Sequence, residues 1–222
     1  MKYRNFIWDF DGTLYDSYPH IYSALCHVMD EAGMTGDFDM ETVHRYLQVS
    51  FAEMRAFTGM PDAVYSKFVD LHHRTADSEI TPPIVPFADA ERVLSEIIEK
   101  GGRNYLYTHR NKTAYYYLEE FGLTKYFSDI LTAEENFPWK PSPDAILALI
   151  SRNGLEPSEC VMIGDREIDG MSGKNAGISG ALVNYPKHLP DGTSPADVSE
   201  MDHVAETLSD FAKMMGVFEQ NE

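Results

Sequence analysis

Short apolar runs alternate along the chain with longer segments in which apolar side chains recur at helical spacing. The short runs end at acids, glycine or threonine, which is typical of buried β-strands; they are Asn5 to Phe10, Asn104 to Thr108, Asp129 to Thr132, Cys160 to Gly164 and Gly180 to Asn184. The segments with helical spacing are Ala90 to Lys100, Asn111 to Phe121, Pro143 to Asn153 and the tail from Asp202 to Gly216. The alternation predicts an α/β fold with a parallel sheet flanked by helices.

The interval from Asp16 to Ile80 breaks this alternation, because it contains helical patterns only. The strand pattern resumes only after the proline-rich segment from Thr81 to Phe87, which indicates a helical domain inserted after the first strand. We therefore expect two domains: an α/β core made of residues 1–15 and 82–222, and an inserted helical domain made of residues 16–81.

Two carboxylates, Asp9 and Asp11, follow the first predicted strand in the stretch IWDFDGTLYDS. Carboxylates this close in one loop repel and raise each other's pKa unless a cation lies between them. A hard divalent ion with oxygen ligands, magnesium above all, meets that need. The two acids could instead cap a following helix, but the helical pattern begins later, near Ser17 and Pro19. The spacing therefore favours a metal site.

A second pair of acids follows the strand from Cys160 to Gly164, in the stretch GDREID. Asp165 at the strand end could reach the same metal, and Asp169 lies one helical turn further on the same face. The open alternative is a helix N-terminus enriched in acids, which the helix dipole favours. Since ligands bind outside the carboxyl ends of parallel strands, we expect Asp9, Asp11, Thr108 and Asp165 to converge on one site.

Three further residues are candidates for anion binding at that site. Lys140, in WKPSPDA, could hold a catalytic carboxylate and a phosphate together, although a loop lysine is more commonly a solvated surface charge. Thr108 ends its strand just before a helical pattern, so its hydroxyl and the backbone amide of His109 could donate to a phosphoryl oxygen. The His109 side chain alone would more often be structural than a catalytic base.

Net charge limits the possible partners. The chain has 222 residues, with 36 acids against 18 Lys and Arg and a formal charge of −18, so its field repels nucleic acid and anionic membranes. An anion site must therefore be built locally.

No apolar run reaches the roughly 18 residues of a transmembrane helix, and the N-terminal stretch MKYRNFIWDF lacks the apolar core of a signal peptide. We expect a cytoplasmic protein with no nucleic-acid or membrane partner.

The ordered set FIWDFDGTL, the Thr108 strand end, Lys140 in KPSP and the stretch GDREID resembles the four motifs of haloacid dehalogenase-like hydrolases. It is most similar to phosphatases of the phosphoglycolate phosphatase and β-phosphoglucomutase type, whose helical cap is inserted after the first motif. The resemblance implies a Rossmann-like core with a helical cap domain. It also implies a magnesium-dependent phosphatase that acts on a small phosphorylated metabolite.

The resemblance implies a role for each of these residues. Asp9 would attack phosphorus and form an aspartyl phosphate, and Asp11 would protonate the leaving group and then activate the hydrolytic water. Magnesium would be bound by the Asp9 carboxylate, the Asp11 backbone carbonyl and Asp165, with Asp169 positioning the ligands. The residues that would bind the transferring phosphoryl group are Thr108, His109 through its amide, and Lys140.

Substrate choice would lie in the cap, because in this subgroup the cap contacts the leaving group. The polar candidates for that contact are His20, Arg45, Gln48, Ser50 and Arg55. Two departures from the family pattern concern the core: His109 stands where asparagine is common, and Arg166 stands where smaller residues are familiar. We expect Arg166 at the surface.

Two alternative functions stay open. A phosphomutase of the β-phosphoglucomutase type uses the same two aspartates, and the sequence does not distinguish it from a phosphatase. A non-catalytic metabolite-binding module on the same fold would be favoured by loss of Asp9 or Asp11, and both are present.

Overall fold

A computed structural model describes residues 1–75, 79–184 and 198–219. The chain divides into two compact units. The described residues of the first, the α/β unit, are 1–16, 86–184 and 198–219; those of the second, the helical unit, are 17–75 and 79–85. Within these ranges, every helix is too short or too polar to cross a membrane.

The secondary structure is numbered in chain order. Strands β1 to β8 are Asn5–Trp8, Tyr15–Asp16, Val85–Pro86, Arg103–Tyr107, Phe127–Leu131, Cys160–Gly164, Ser179–Leu182 and His203–Val204. Helices α1 to α4, in the helical unit, are Tyr18–Glu31, Met40–Val49, Phe51–Thr58 and Asp62–His72. Helices α5 to α9, in the α/β unit, are Ala90–Glu99, Thr113–Glu120, Asp144–Asn153, Glu167–Asn175 and Leu208–Met214.

The α/β unit is built on a parallel sheet with the strand order β5-β4-β1-β6-β7-β8. Every residue of β1 and β6 is buried, because helices cover both faces of a parallel sheet and its central strands are therefore apolar on both sides. The core on one side includes Ile7, Leu131 and Ile146. The α/β fold predicted from the alternation is confirmed.

The helical unit has an apolar core of its own. Side chains at helical spacing on α1, including Ile21, Leu25 and Met29, pack against Leu47 and Phe68 from later helices. Two of the helices begin at side-chain caps that accept backbone N–H groups; these caps are Asp39 for α2 and Ser50 for α3. The helical patterns predicted after the first strand are confirmed.

The C-terminal tail differs from the single helix that its pattern predicts. His203–Val204 adds a short parallel strand beside β7, with Ala181 opposite His203. The helix begins only after Thr207, whose hydroxyl accepts the N–H of Asp210 at 3.1 Å. The prediction was wrong here because two half-buried residues are too few to give a strand pattern, and because pairing with a neighbouring strand is not a local property.

Helix α8 packs directly on the sheet because glycine stands at the points of contact. A Cβ on Gly180 would lie 2.4 Å from the backbone oxygen of Gly170, and one on Gly164 would lie 2.1 Å from Cβ of Asp169. Real Cβ atoms do not approach other atoms this closely, so these positions exclude side chains. The close packing brings the first turn of α8, with Asp169, against the end of β6.

Candidate active site

Three adjacent strand ends carry the first candidate site residues. Asp9 follows β1, Thr108 follows β4 and Asp165 follows β6, and β1 lies between the other two strands. Asp169 lies in the first turn of α8. Because parallel strands end at the same edge of the sheet, the structure brings these four residues together.

Lys140 completes this group from a separate loop. Its Nζ lies 2.6 Å from Oδ1 of Asp9 and 2.9 Å from Oδ1 of Asp169, and the three side chains are at most 2% exposed. The ammonium also donates to the backbone oxygen of Tyr107 at 3.0 Å. Lys140 is therefore a buried counter-ion that bridges two carboxylates, and the alternative of a solvated surface charge is excluded.

The three charges perturb one another. Burial raises the pKa of Asp9 to about 6, against the lowering effect of Lys140, and Asp169 adds to the rise. Burial also disfavours the charged form of Asp169, but Lys140 and Arg166 outweigh it and hold the pKa of Asp169 below its ordinary value. Burial alone would lower the pKa of Lys140, yet the carboxylates of Asp169 and Asp9 raise it. Of the two acids, Asp169 is the more firmly ionised.

Asp165 joins Asp9 and Asp169 in a candidate metal site, and these three residues are called the acid cluster. Carboxylate oxygens of Asp9, Asp165 and Asp169 lie within 4.8 Å of one another, and all three residues are buried. Oδ2 of Asp9 has no hydrogen-bond partner among the described residues, and Oδ1 of Asp165 accepts the Thr13 hydroxyl at 3.3 Å. An unpartnered buried oxygen in a set of carboxylates fits a hard divalent cation.

Thr108 and His109 present donors beside this group. The Thr108 hydroxyl oxygen accepts the backbone N–H of Arg110 at 3.0 Å, so its own O–H remains to donate elsewhere. Nε2 of His109 lies 3.1 Å from the backbone N of Lys140, which donates to it and so places the imidazole proton on Nδ1. Burial, together with the charge of Lys140, lowers the pKa of His109 to about 3. The imidazole is therefore neutral at physiological pH.

Arg110 is a site residue that the sequence patterns did not identify. Its side chain is fully buried, and its Nη2 lies 2.6 Å from Oδ1 of Asp11, whose side chain is 18% exposed. Consequently the Asp11 carboxylate faces Arg110 and is not part of the Asp9, Asp165 and Asp169 cluster. The sequence signal that could have identified Arg110 is its position, because it lies two residues beyond Thr108 at the same strand end.

The sequence predicts Arg166 at the surface, and the structure differs. The residue is half-buried, and its backbone N–H donates to Oδ2 of Asp169 at 3.0 Å. Its charge opposes the burial that raises the pKa of Asp9. The expectation was wrong because the turn between β6 and α8 is too short to carry residue 166 away from the acids.

The helical unit contains the five candidates for substrate contact. His20 is fully buried, with its ring nitrogens 3.3 Å from the backbone oxygens of Pro82 and His72. Ser50 caps α3 and accepts the N–H of Glu53 at 3.0 Å. Both residues therefore have contacts inside the helical unit, and their role toward a substrate stays a prediction.

The other three candidates lie on α2 and α3. Arg45 pairs with Glu41 one turn away, at 2.6 Å. Arg55 pairs with Asp62, and Gln48 lies half-buried in the last turn of α2. An exposed pair such as that of Arg45 contributes little to stability. Arg55 is held more firmly, because its Nε also donates to the backbone oxygen of Met60 at 3.3 Å and its Cζ lies 4.7 Å from the ring centre of Tyr65.

Comparisons with known proteins identify similar chains. The family model described as haloacid dehalogenase-like hydrolase matches residues 6–183. A pyrophosphatase PpaX from Bacillus velezensis is 27% identical over 216 residues, which cover 95% of each chain. A phosphoglycolate phosphatase from Vibrio vulnificus is 26% identical over 218 residues, which cover 91% of each chain.

A solved structure shares the fold. A hydrolase from Pseudomonas syringae superposes with a TM-score of 0.75 at 22% identity, covering 96% of this chain and 98% of that chain. At this identity the likeness shows the fold alone. The family match, in contrast, spans most of the chain, and it includes every residue of the acid cluster together with Lys140. The chain therefore belongs to the haloacid dehalogenase-like hydrolases.

Proposed function

We propose that the protein is a magnesium-dependent phosphatase that hydrolyses a small phosphorylated metabolite through an aspartyl phosphate. The observation that carries the proposal is Asp9: a buried carboxylate with one oxygen on Lys140 and the other without a hydrogen-bond partner among the described residues. Relatives named pyrophosphatase and phosphoglycolate phosphatase support a phosphorylated substrate.

Two aspartates divide the chemistry. A carboxylate oxygen of Asp9 attacks phosphorus, and the bond from phosphorus to the leaving oxygen breaks while Asp11, which enters this step as the protonated carboxylic acid, gives that oxygen its proton. Asp11 then takes a proton from water, whose oxygen attacks the aspartyl phosphate. The bond between Asp9 and phosphorus breaks, inorganic phosphate leaves, and both side chains return to their starting forms.

The remaining residues bind and neutralise the phosphoryl group. Lys140 supplies a buried positive charge, the Thr108 hydroxyl has a proton to donate, and the backbone N–H of His109 follows it in the same loop. Phosphoryl transfer depends mainly on positioning and on charge stabilisation, so a few fixed donors are sufficient.

Magnesium would be held by the carboxylates of Asp9, Asp165 and Asp169 and by the backbone carbonyl of Asp11. When bound, it would neutralise charge on the phosphoryl oxygens. The protein has a formal charge of −18, which repels a phosphate ester, and a bound cation would offset this repulsion at the site.

The helical unit is proposed as the cap domain that chooses the substrate. Its position in the chain, between β2 and β3, is the position of the cap in phosphatases of the phosphoglycolate phosphatase type. The candidates named above, His20, Arg45, Gln48, Ser50 and Arg55, are proposed to include the contacts to the leaving group.

The test is phosphate release from a panel of phosphorylated metabolites and from p-nitrophenyl phosphate. We expect activity that requires Mg²⁺, is abolished by a chelator, and is lost in Asp9→Asn with the fold intact by circular dichroism. Asp210→Asn, an exposed acid of α9, is the matched control and should keep wild-type activity. Full activity in Asp9→Asn would overturn the covalent route, and turnover of a hexose 1-phosphate without phosphate release would favour a phosphomutase.

A further inference from the structure

A second ion pair, between the half-buried Asp11 and the buried Arg110, lies beside the cluster of Asp9, Asp165 and Asp169. We propose that Arg110 is a positioning residue that fixes the Asp11 carboxylate for proton transfer. The inference rests on the proposed function, since it concerns the proton that enters the leaving group and the proton that leaves the water.

The contact between the two side chains fixes a direction as well as a distance. Nε of Arg110 donates to Oδ1 and Oδ2 of Asp11 at 3.1 and 3.2 Å, and Nη2 donates to Oδ1 at 2.6 Å. A planar guanidinium that bonds both oxygens of a carboxylate restricts its rotation, which a single hydrogen bond or a lysine ammonium does not do. The orientation of Asp11 therefore depends on Arg110.

Arg110 is itself held in place. Its Cζ lies 5.3 Å from the ring centre of Phe10 and 5.8 Å from that of Tyr117, and its backbone N–H donates to the Thr108 hydroxyl. Tyr15 contacts both of these residues. Its ring stacks on that of Phe10, with 4.0 Å between the ring centres, and its hydroxyl donates to the backbone oxygen of Tyr117. The guanidinium is thus fixed before any substrate binds.

Stability alone does not account for a charged pair here. Well-packed apolar side chains are often at least as stable as a buried ion pair, because desolvation offsets the attraction. The pair instead separates two tasks. Asp9, Asp165 and Asp169 share the candidate metal site, whereas the Asp11 carboxylate is turned to Arg110 and lies outside that cluster. Arg110 thereby keeps this carboxylate available for proton transfer.

The expected phenotype of Arg110 variants follows from this geometry. Positioned acid and base groups contribute about 10²- to 10⁴-fold to rate, so Arg110→Met should lower kcat by about 10²-fold or more. Substrate binding should change little, because Arg110 acts on Asp11 and not on the phosphoryl group. KM should therefore stay near the wild-type value for a metabolite ester, and it should fall together with kcat for p-nitrophenyl phosphate, where hydrolysis of the aspartyl phosphate becomes rate-limiting. Arg110→Lys keeps the charge without the two-oxygen contact, and it should restore only a small part of kcat.

A double-mutant cycle distinguishes positioning from a general structural effect. We would measure kcat and KM for Arg110→Met, Asp11→Asn and the double variant, with Arg152→Met as the control because Arg152 pairs with Asp129 on another part of the sheet. If Arg110 acts through Asp11, the double variant should be no slower than Asp11→Asn alone, and guanidinium ion should partly rescue Arg110→Ala. Multiplicative losses without rescue would overturn the proposal.

A second readout follows the phosphorylated enzyme. The leaving group of p-nitrophenyl phosphate needs little protonation, so the Arg110 variants should form the aspartyl phosphate and hydrolyse it slowly. Radiolabelled phosphoenzyme should then accumulate in Arg110→Lys and not in the wild type. If Arg110→Met does not fold, the test is the kcat of Arg110→Lys. A folded Arg110→Lys variant with wild-type kcat would overturn the proposal. An active Asp9→Asn would instead refute the proposed function, so the two failures are distinguishable.

Discussion

Replacing Lys140 by methionine tests the electrostatics of the acid cluster directly. Methionine fills a similar volume and removes the only charge that lies within 3 Å of both Asp9 and Asp169 among the described residues. Both carboxylates would then be buried without their ion-pair partner in a metal-free protein, with the more weakly acting charge of Arg166 left nearby. We expect Lys140→Met to fold, to lose activity and to be clearly less stable at neutral pH.

The magnitude follows from the distances. At an effective dielectric constant of about 20, charges 2.6 and 2.9 Å apart attract by about 6 kcal/mol per pair. Desolvation of the three buried ions offsets much of this attraction. Removing one partner of a buried pair typically costs 3 to 5 kcal/mol, so we expect the free energy of unfolding to fall by about 4 kcal/mol.

Urea unfolding in the presence of a chelator measures the effect. In the variant, burial without Lys140 should raise the folded-state pKa of Asp169 above the unfolded value and that of Asp9 further above it, so stability is lost as pH rises through that range. The deficit against wild type should therefore be larger at about pH 8 than at about pH 5. Lys174→Met removes a surface partner of Asp202 and should cost about 1 kcal/mol or less. Equal effects of the two substitutions, or a deficit independent of pH, would refute the reasoning.

Two further substitutions test the geometry of the site. Gly164→Ala should displace Asp169, because the new Cβ would lie 2.1 Å from the Asp169 Cβ. Mg²⁺ binding measured by calorimetry should then weaken at least tenfold. The control is Gly36→Ala, whose new Cβ would have no atom within 4 Å, and it should bind Mg²⁺ as the wild type does. As pH falls, His109→Asn should gain stability relative to the wild type: the pKa of His109 is lowered from 6.5 to about 3, so this group costs the wild type up to about 1.4 kcal/mol per pH unit below about pH 6.5. Parallel stability curves from pH 7 to about pH 5 would contradict that assignment.

The strands that carry the site were predictable because their sequence signal is local. Four or five apolar residues between polar ones mark a strand buried on both faces, and Cys160–Gly164 was predicted with the observed bounds. Acids at the ends of such strands then indicate a site at one edge of the sheet. The strand at His203–Val204 had no such signal, since its two residues are half-buried.

The partners of the site residues were less predictable, because the contacts join distant parts of the chain. Lys140 lies 131 residues from Asp9, and Arg110 lies 99 residues from Asp11. The motif pattern identified Lys140, but only the structure shows that Asp169 shares its ammonium. Arg166 was misplaced for a related reason: sequence spacing does not tell how tight a turn is.

The charges of Asp9 and Asp11 are balanced differently from what their spacing in the sequence predicts. Two adjacent carboxylates predict mutual repulsion and a need for one shared cation. In the structure each has a cation of its own, Lys140 for Asp9 and Arg110 for Asp11, and Asp11 contributes less to the raised pKa of Asp9 than Asp169 does. Because their charges are balanced separately, the two carboxylates fit the two roles proposed for them, Asp9 carrying the phosphoryl group and Asp11 moving the proton. The repulsion that does need a further cation lies between Asp9, Asp165 and Asp169, where the candidate metal site is found.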